Sequence, residues 1–173
     1  MRIYLSGFMG AGKTTVGREL ARRLGWPFLD LDLEVETAAG ATVREIFEVR
    51  GEAEFRRLER LALAATFERE PLVVAVGGGT LIDPSNLAAA RARGRVVWLD
   101  APFELLVRRI GPRGKLDRPL FRDEEQARAL LRERTPAYRR SDLVVEIGPV
   151  ETPAEIAGRI LLELRLREAA CTI

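Results

Sequence analysis

Short continuous apolar runs and longer stretches of helical period take turns along this chain. Ile3-Tyr4-Leu5 is the first run and predicts a strand over residues 2–6, which breaks into a glycine-rich segment. Lys13 to Leu24 follows as a predicted helix with Val16, Leu20 and Leu24 on one face, stopped by Gly25-Trp26-Pro27. Phe28 to Leu31 predicts a second strand. Residues 33–69 read as helix in pieces, interrupted near Gly40 and Gly51, and the longest piece carries Phe55, Leu58, Leu61, Ala62 and Ala65 as an apolar stripe. Leu72 to Val76 is apolar on both faces and ends in Gly77-Gly78-Gly79, as a buried parallel strand does. A helix over Pro84 to Arg93, a strand at Val96 to Leu99 and a helix over Phe103 to Ile110 come next. A polar loop from Gly111 to about Arg122, a helix from Asp123 to about Tyr138, a strand at Leu143 to Ile147 and a helix after Pro153 complete the pattern.

Five strands of buried type alternating with helices, without a repeat, predict an α/β fold in which helices cover both faces of a parallel sheet. Ligands in such folds bind beyond the carboxyl ends of the strands. The polar features cluster there: Gly7 to Thr15 after the first strand, Asp30 and Asp32 after the second, the three glycines after the third.

Length and composition narrow the class. At 173 residues, with 47% hydrophobic and 31% charged positions, one soluble globular domain is expected over residues 1–173. Of the 28 basic residues only Lys13 and Lys115 are lysines, so a lysine inside a glycine-rich loop stands out. A formal charge of +2 argues against nucleic acid as the main partner, and no apolar run approaches the length of a membrane span. The single cysteine, Cys171, has no partner for an intrachain disulfide, and no targeting segment is expected ahead of a strand that starts at residue 2; both point to the cytoplasm.

Gly7-Phe8-Met9-Gly10-Ala11-Gly12-Lys13-Thr14 matches G-x-x-x-x-G-K-[ST], between a strand and a helix. Glycines let such a backbone wrap phosphate oxygens so that N–H groups and the helix N-terminus point at the anion. Lys13 is expected on the β- and γ-phosphates and the Thr14 hydroxyl on Mg²⁺.

The other candidates each carry two readings. Asp30 and Asp32, two apart at a strand end, put both carboxylates on one side, one to hold a metal through water and the other to take a proton from an alcohol. They read equally as helix-capping aspartates before Leu33. Arg56, with Glu59 three residues on, fits a cleft arginine gripping a carboxylate bidentately, but on spacing alone an ordinary surface pair is favoured. The glycine run at 77–79 lets a ligand touch backbone, and three glycines exceed the needs of a turn. The Gly111–Arg122 loop holds Arg113, Lys115, Arg118 and Arg122 and suits a lid that closes over ATP, or a plain solvent loop.

Together GFMGAGKTTVGR, LDLD at 29–32, EFRRLE at 54–59, GGGT at 77–80, DRPLF at 117–121 and ERTPAY at 133–138 resemble the shikimate kinase family over essentially the whole chain. The resemblance implies a P-loop three-layer sandwich of the nucleoside-monophosphate-kinase type, with a five-stranded parallel sheet, a substrate-binding helical segment (residues 33–61) and a mobile lid (residues 111–122). It implies transfer of the γ-phosphate of ATP to the 3-hydroxyl of shikimate, with Mg²⁺, in aromatic amino-acid biosynthesis. Gly10, Ala11, Gly12, Lys13, Thr14 and Thr15 then hold the phosphates, and Arg109 and Pro153 sandwich adenine. Thr14, with Asp30 through water, holds the metal. Asp32 binds the acceptor hydroxyls and acts as base, and Arg56, Gly78 and Arg134 bind shikimate. Arg118 reaches the phosphates from the lid.

Three features depart from the family pattern. The lid is slightly longer, so Arg113 or Lys115 is a candidate to share the role of Arg118. Val150, Glu151 and Thr152 stand where several relatives carry an arginine before the proline. Val76 runs into Gly77 with no acidic residue at the end of the third strand, which leaves the metal to Thr14, Asp30, phosphates and water. Rival readings are another small-alcohol kinase, such as a gluconate kinase, and a non-catalytic nucleotide-binding module. A monomer using ATP and shikimate, without nucleic-acid or membrane partners, is expected.

Overall fold

The structure is a computed structural model that describes the backbone of residues 1–116 and 123–170 and the side chains of residues 1–111 and 123–165. Five strands form one sheet: β1 (Arg2–Ser6), β2 (Phe28–Asp30), β3 (Leu72–Ala75), β4 (Arg95–Asp100) and β5 (Leu143–Glu146), in the order β2-β3-β1-β4-β5. Every pairing is parallel, so all five carboxyl ends open on one edge. The expected fold class holds.

Eight α-helices are found among the described residues: α1 (Lys13–Leu24), α2 (Leu31–Ala39), α3 (Val43–Glu45), α4 (Gly51–Ala65), α5 (Pro84–Arg91), α6 (Phe103–Leu116), α7 (Glu124–Tyr138) and α8 (Pro153–Ala170). The period of two in β1 splits the core into layers. Ile3 and Leu5 join Val73, Val97 and Leu99 against α1, α6 and α8, while Tyr4 joins Val74 and Val96 against α4 and α5. The central strands β1 and β3 are buried on both faces, as predicted for parallel strands. The two edge strands are not: β5 alternates buried and exposed, and β2 has only Leu29 fully buried. An edge strand has one sheet neighbour and less helix cover, so its apolar run is shorter than its burial type suggests.

Local chemistry sets the helix boundaries near the site. Asp30 caps α2 by accepting the Asp32 N–H at 3.2 Å, and Gly40 ends that helix in the left-handed region. Thr42 and Glu45 form a reciprocal capping box that starts α3. A π-helical turn, Ile46–Arg50, then leads to Gly51 at φ 80°, where α4 begins. The interruptions expected at Gly40 and Gly51 are therefore real breaks, with a wide helical turn between them.

The expected loop after Ile110 is different. Gly111 (φ 61°, ψ 178°) kinks the chain, which then continues helically to Leu116. A glycine can adopt this conformation without steric cost, so the first helix ends before Gly111 as expected, and what differs is a second short helical stretch after it. Arg118, Arg122 and Cys171, and the side chains of Arg113 and Lys115, lie outside the described residues.

Candidate functional site

The loop between β1 and α1 forms the first wall of a cleft at the carboxyl edge of the sheet. Gly7, Gly10 and Gly12 all take positive φ (138°, 79° and 94°), which explains why this turn needs its glycines. Lys13 Nζ donates to the carbonyls of Gly7 and Phe8 at 2.9 and 3.0 Å, so its ammonium lies across the mouth of the loop. Gly10, Gly12, Lys13, Thr14 and Thr15 line a cavity of about 490 Å³, whose far end is formed by Arg109, Glu151 and Pro153. Ala11, also expected there, is fully buried beneath it, with its N–H turned back to Phe8 O at 3.2 Å and its carbonyl accepting Arg109 Nη1 at 3.2 Å. Burial, helped by the neighbouring Arg108, holds the Arg109 guanidinium below its ordinary pKa, while Glu151 opposes the shift. Glu151 is itself fixed by the Gly148 N–H (2.5 Å) and Arg159 (2.9 Å), so a tethered carboxylate lies among residues 150–152, just before Pro153.

Thr14 Oγ1 donates to Asp30 Oδ2 at 2.6 Å. One carboxylate thus caps α2 with one oxygen and orients Thr14 with the other. Giving its proton to Asp30 leaves the lone pairs of the Thr14 oxygen for a cation, so the pair fits a divalent metal. No group of three or more His, Cys, Asp or Glu side chains that could hold a metal occurs among the described residues. A cation here would therefore take most of its oxygens from phosphate and water.

Asp32 does not continue the second strand. The strand stops at Asp30, and Asp32 sits in the first turn of α2, so the period-of-two argument named the wrong element. The capping alternative was also only half right, because Asp30 alone caps a helix that begins at Leu31. Both aspartates nevertheless reach the cleft, since the first turn of a helix starting at a strand end stays over the sheet edge. Asp30, Asp32 and Thr14 line the nucleotide-side cavity and also a second cavity, of about 460 Å³. The two spaces meet at these three residues.

Arg56, Gly78 and Arg134 line the second cavity, opposite an apolar wall of Leu33, Val43, Phe47 and Phe55. The wide turn at 46–50 brings Phe47 onto Phe55, with ring centroids 4.7 Å apart. Arg56 is no surface pair. Its Nη1 donates to Glu59 at 2.8 Å, and Glu59 is buried and accepts the Thr80 hydroxyl at 2.6 Å. Burial would lower the Arg56 pKa, but Glu59 and Glu52 outweigh it and the net shift is upward, so the guanidinium is firmly charged. Arg134 is 7% exposed and comes from α7, far away in the chain.

The three glycines have distinct tasks. A Cβ on Gly77 would sit 2.7 Å from Glu59 and 2.8 Å from Asp32, and one on Gly79 would sit 2.6 Å from Arg56. One on Gly78 would make only ordinary contacts, the nearest to a side chain being Arg134 at 3.6 Å. Gly77 and Gly79 thus admit the charged side chains, and Gly78 leaves the space before Arg134 open. The sequence pointed to all three glycines as a place where a ligand could touch backbone, and the resemblance to Gly78 alone, but neither separated these tasks. Sequence reasoning also missed Thr80 and Tyr138, whose hydroxyls bond to Glu59 and to the Gly78 carbonyl. No local pattern announces such distant partners.

A P-loop cavity joined through an acidic pair to a second cavity with two arginines defines an ATP-using small-molecule kinase of the P-loop class. Residues 9–165 match the family model described as shikimate kinase. A shikimate kinase of Salinibacter ruber is 44% identical over 173 aligned residues, covering 93% of this chain and 83% of its own length. One from Nostoc punctiforme is 40% identical over 164, covering 93% and 89%. A solved shikimate kinase from Acinetobacter baumannii in complex with shikimate superposes with a TM-score of 0.91 at 40% identity, covering 96% of this chain and 93% of that one. The chain belongs to the shikimate kinase family.

Proposed function

We propose that this protein transfers the γ-phosphate of ATP to the 3-hydroxyl of shikimate, and that the second cavity is the acceptor site. The observation that carries the reading is the junction of the two cavities at Thr14, Asp30 and Asp32, with Lys13 on one side and Arg56 and Arg134 on the other. In-line phosphoryl transfer needs little covalent chemistry from the protein, so positioning and charge neutralisation supply most of the acceleration. Lys13 and the loop N–H groups hold the phosphates, and Arg109 and Pro153 flank the base. Arg56 and Arg134 grip the acceptor carboxylate, the Gly78 backbone contacts the ring, and Asp32 orients the hydroxyl and takes its proton. Mg²⁺, held by Thr14 and by Asp30 through water, would neutralise phosphate charge.

Arg118 belongs to this proposal by resemblance, as the lid cation, with Arg113 or Lys115 as candidates to assist. A monomeric, cytoplasmic enzyme without nucleic-acid partners completes it; no helix among the described residues is long and apolar enough to cross a membrane. A gluconate-type kinase and a non-catalytic module are not favoured, because the family match covers most of the chain and Asp32, Arg56 and Arg134 share one cavity. Coupled ADP release with ATP and Mg²⁺ tests the reading, with shikimate, gluconate or no acceptor added. Turnover with shikimate alone is expected. Turnover with gluconate only, or equal turnover without acceptor, would sink it.

A further inference from the structure

Tyr138 is not among the residues that line either cavity, yet it joins two groups that do. It is the last residue of α7, one helical turn after Arg134 and on the same face. Its side chain is 2% exposed, and its ring stacks on Trp98 of β4 with centroids 5.7 Å apart and planes at 27°. The hydroxyl donates to the Gly78 carbonyl at 2.5 Å, and Arg134 is close enough for its charge to work against the upward shift of the phenol, with its Nη1 3.6 Å from where a Cβ on Gly78 would stand. A phenol has one proton to give and lone pairs to receive, so with its proton committed to Gly78 the oxygen keeps its lone pairs for the neighbouring Arg134 cation. Burial pushes the phenol up to about 12, so it remains a donor at any working pH.

The glycine run explains why such an anchor is needed. Three consecutive glycines have no side chains to set their peptide planes, and glycine readily adopts conformations closed to other residues. A hydrogen bond from a rigid, stacked ring sets the Gly78 peptide from outside. The Arg134 guanidinium stands beside the same peptide, 3.6 Å from where a Cβ on Gly78 would be.

We propose that Tyr138 is a positioning residue for the acceptor, its hydroxyl holding the Gly78 peptide and the Arg134 guanidinium in mutual register. This rests on reading the second cavity as the shikimate site. Tyr138→Phe keeps the stack on Trp98 and removes one oxygen. Calorimetric titration with shikimate and with ATP, steady-state kinetics and thermal melts test it in the wild type, Tyr138→Phe, Arg134→Met and the double variant. Tyr138→Phe should raise the shikimate Kd and KM about five- to tenfold, leaving ATP affinity and kcat within about twofold. In the Arg134→Met background the same change should cost less than in the wild type, because only the Gly78 contact is left to lose.

An unchanged shikimate Kd in folded Tyr138→Phe overturns the proposal. So does an effect that is fully additive with Arg134→Met, or one equally large for ATP, since either marks a general packing role. A wild type that neither binds nor phosphorylates shikimate refutes the reading of the cavity and the proposal together. A wild type that does both, beside an indifferent Tyr138→Phe, refutes the proposal alone.

Discussion

The P-loop half of the cleft takes its glycines, Lys13 and Thr14 from one short run, Gly7 to Thr15, whereas the second cavity assembles from α2, α4 and α7 and the glycine turn after β3. The first is a conformation: positive-φ glycines curl the backbone, and α1 starts where the curl ends. The second is a packing arrangement in which buried Glu59 holds Arg56, Tyr138 anchors the Gly78 carbonyl, and Gly77 and Gly79 let the charged groups approach. A contiguous device should fail through its own residues. A distributed one should also fail through residues that touch no ligand.

The largest effect is expected in the contiguous half. Lys13→Met should lower kcat/KM at least about a hundredfold, because it removes a charge aimed at the transferring group. Steady-state ADP release checks this, and a loss under about tenfold would mean that the loop binds nucleotide without serving transfer. In the distributed half, Arg56→Ala should raise the shikimate KM about ten- to a hundredfold with ATP KM nearly unchanged, the loss expected for charged hydrogen bonds to a carboxylate. An unchanged shikimate KM would detach Arg56 from the acceptor.

Gly79→Ala sharpens the comparison further. The new methyl would overlap the tip of the flexible Arg56 side chain, so the guanidinium should move and the backbone should not. We expect a shikimate KM about three- to tenfold higher with little change in thermal midpoint. A fall in midpoint without a KM change would mean that the turn, and not Arg56, gives way.

The smallest expected effect lies outside both halves, at the end of β4. Burial, then Glu146, raises the Asp100 pKa above its ordinary 3.8, with Arg139 opposing. The folded state therefore disfavours the charged form, and this group's contribution to stability improves as pH falls through the folded pKa. Asp100→Asn should be slightly more stable than wild type at neutral pH, and the difference should vanish below about pH 4. Melting curves across that range check the sign. Kinetic constants near wild type would place Asp100 outside the site.

The contiguous half was legible in the chain because its chemistry is local: spacing alone gives the loop, Lys13 and Thr14. The parallel sheet was legible as a class, since buried apolar runs alternating with helices admit few sheets, but its strand order was not. Arg56 was not legible from spacing, because i,i+3 Arg–Glu pairs decorate solvent faces everywhere, and only burial of Glu59 distinguishes this one. Asp32 was placed at the cleft for an incorrect reason, since a strand end and a helix start both keep it near the sheet edge. Arg134 and Gly78 came from resemblance, and Tyr138 lies sixty positions from the carbonyl it anchors. Gly111 does break the helix expected to end at Ile110, and the short helical stretch that follows it had no signal in the chain.

Asp32 is where the two halves meet, lining both cavities, and it tests most directly the claim that they form one two-substrate site. The measurement is shikimate-dependent ADP release by Asp32→Asn, with ATP affinity measured on the same sample. The account predicts that turnover falls at least about a hundredfold while ATP binds as in the wild type. Near-normal turnover would contradict it.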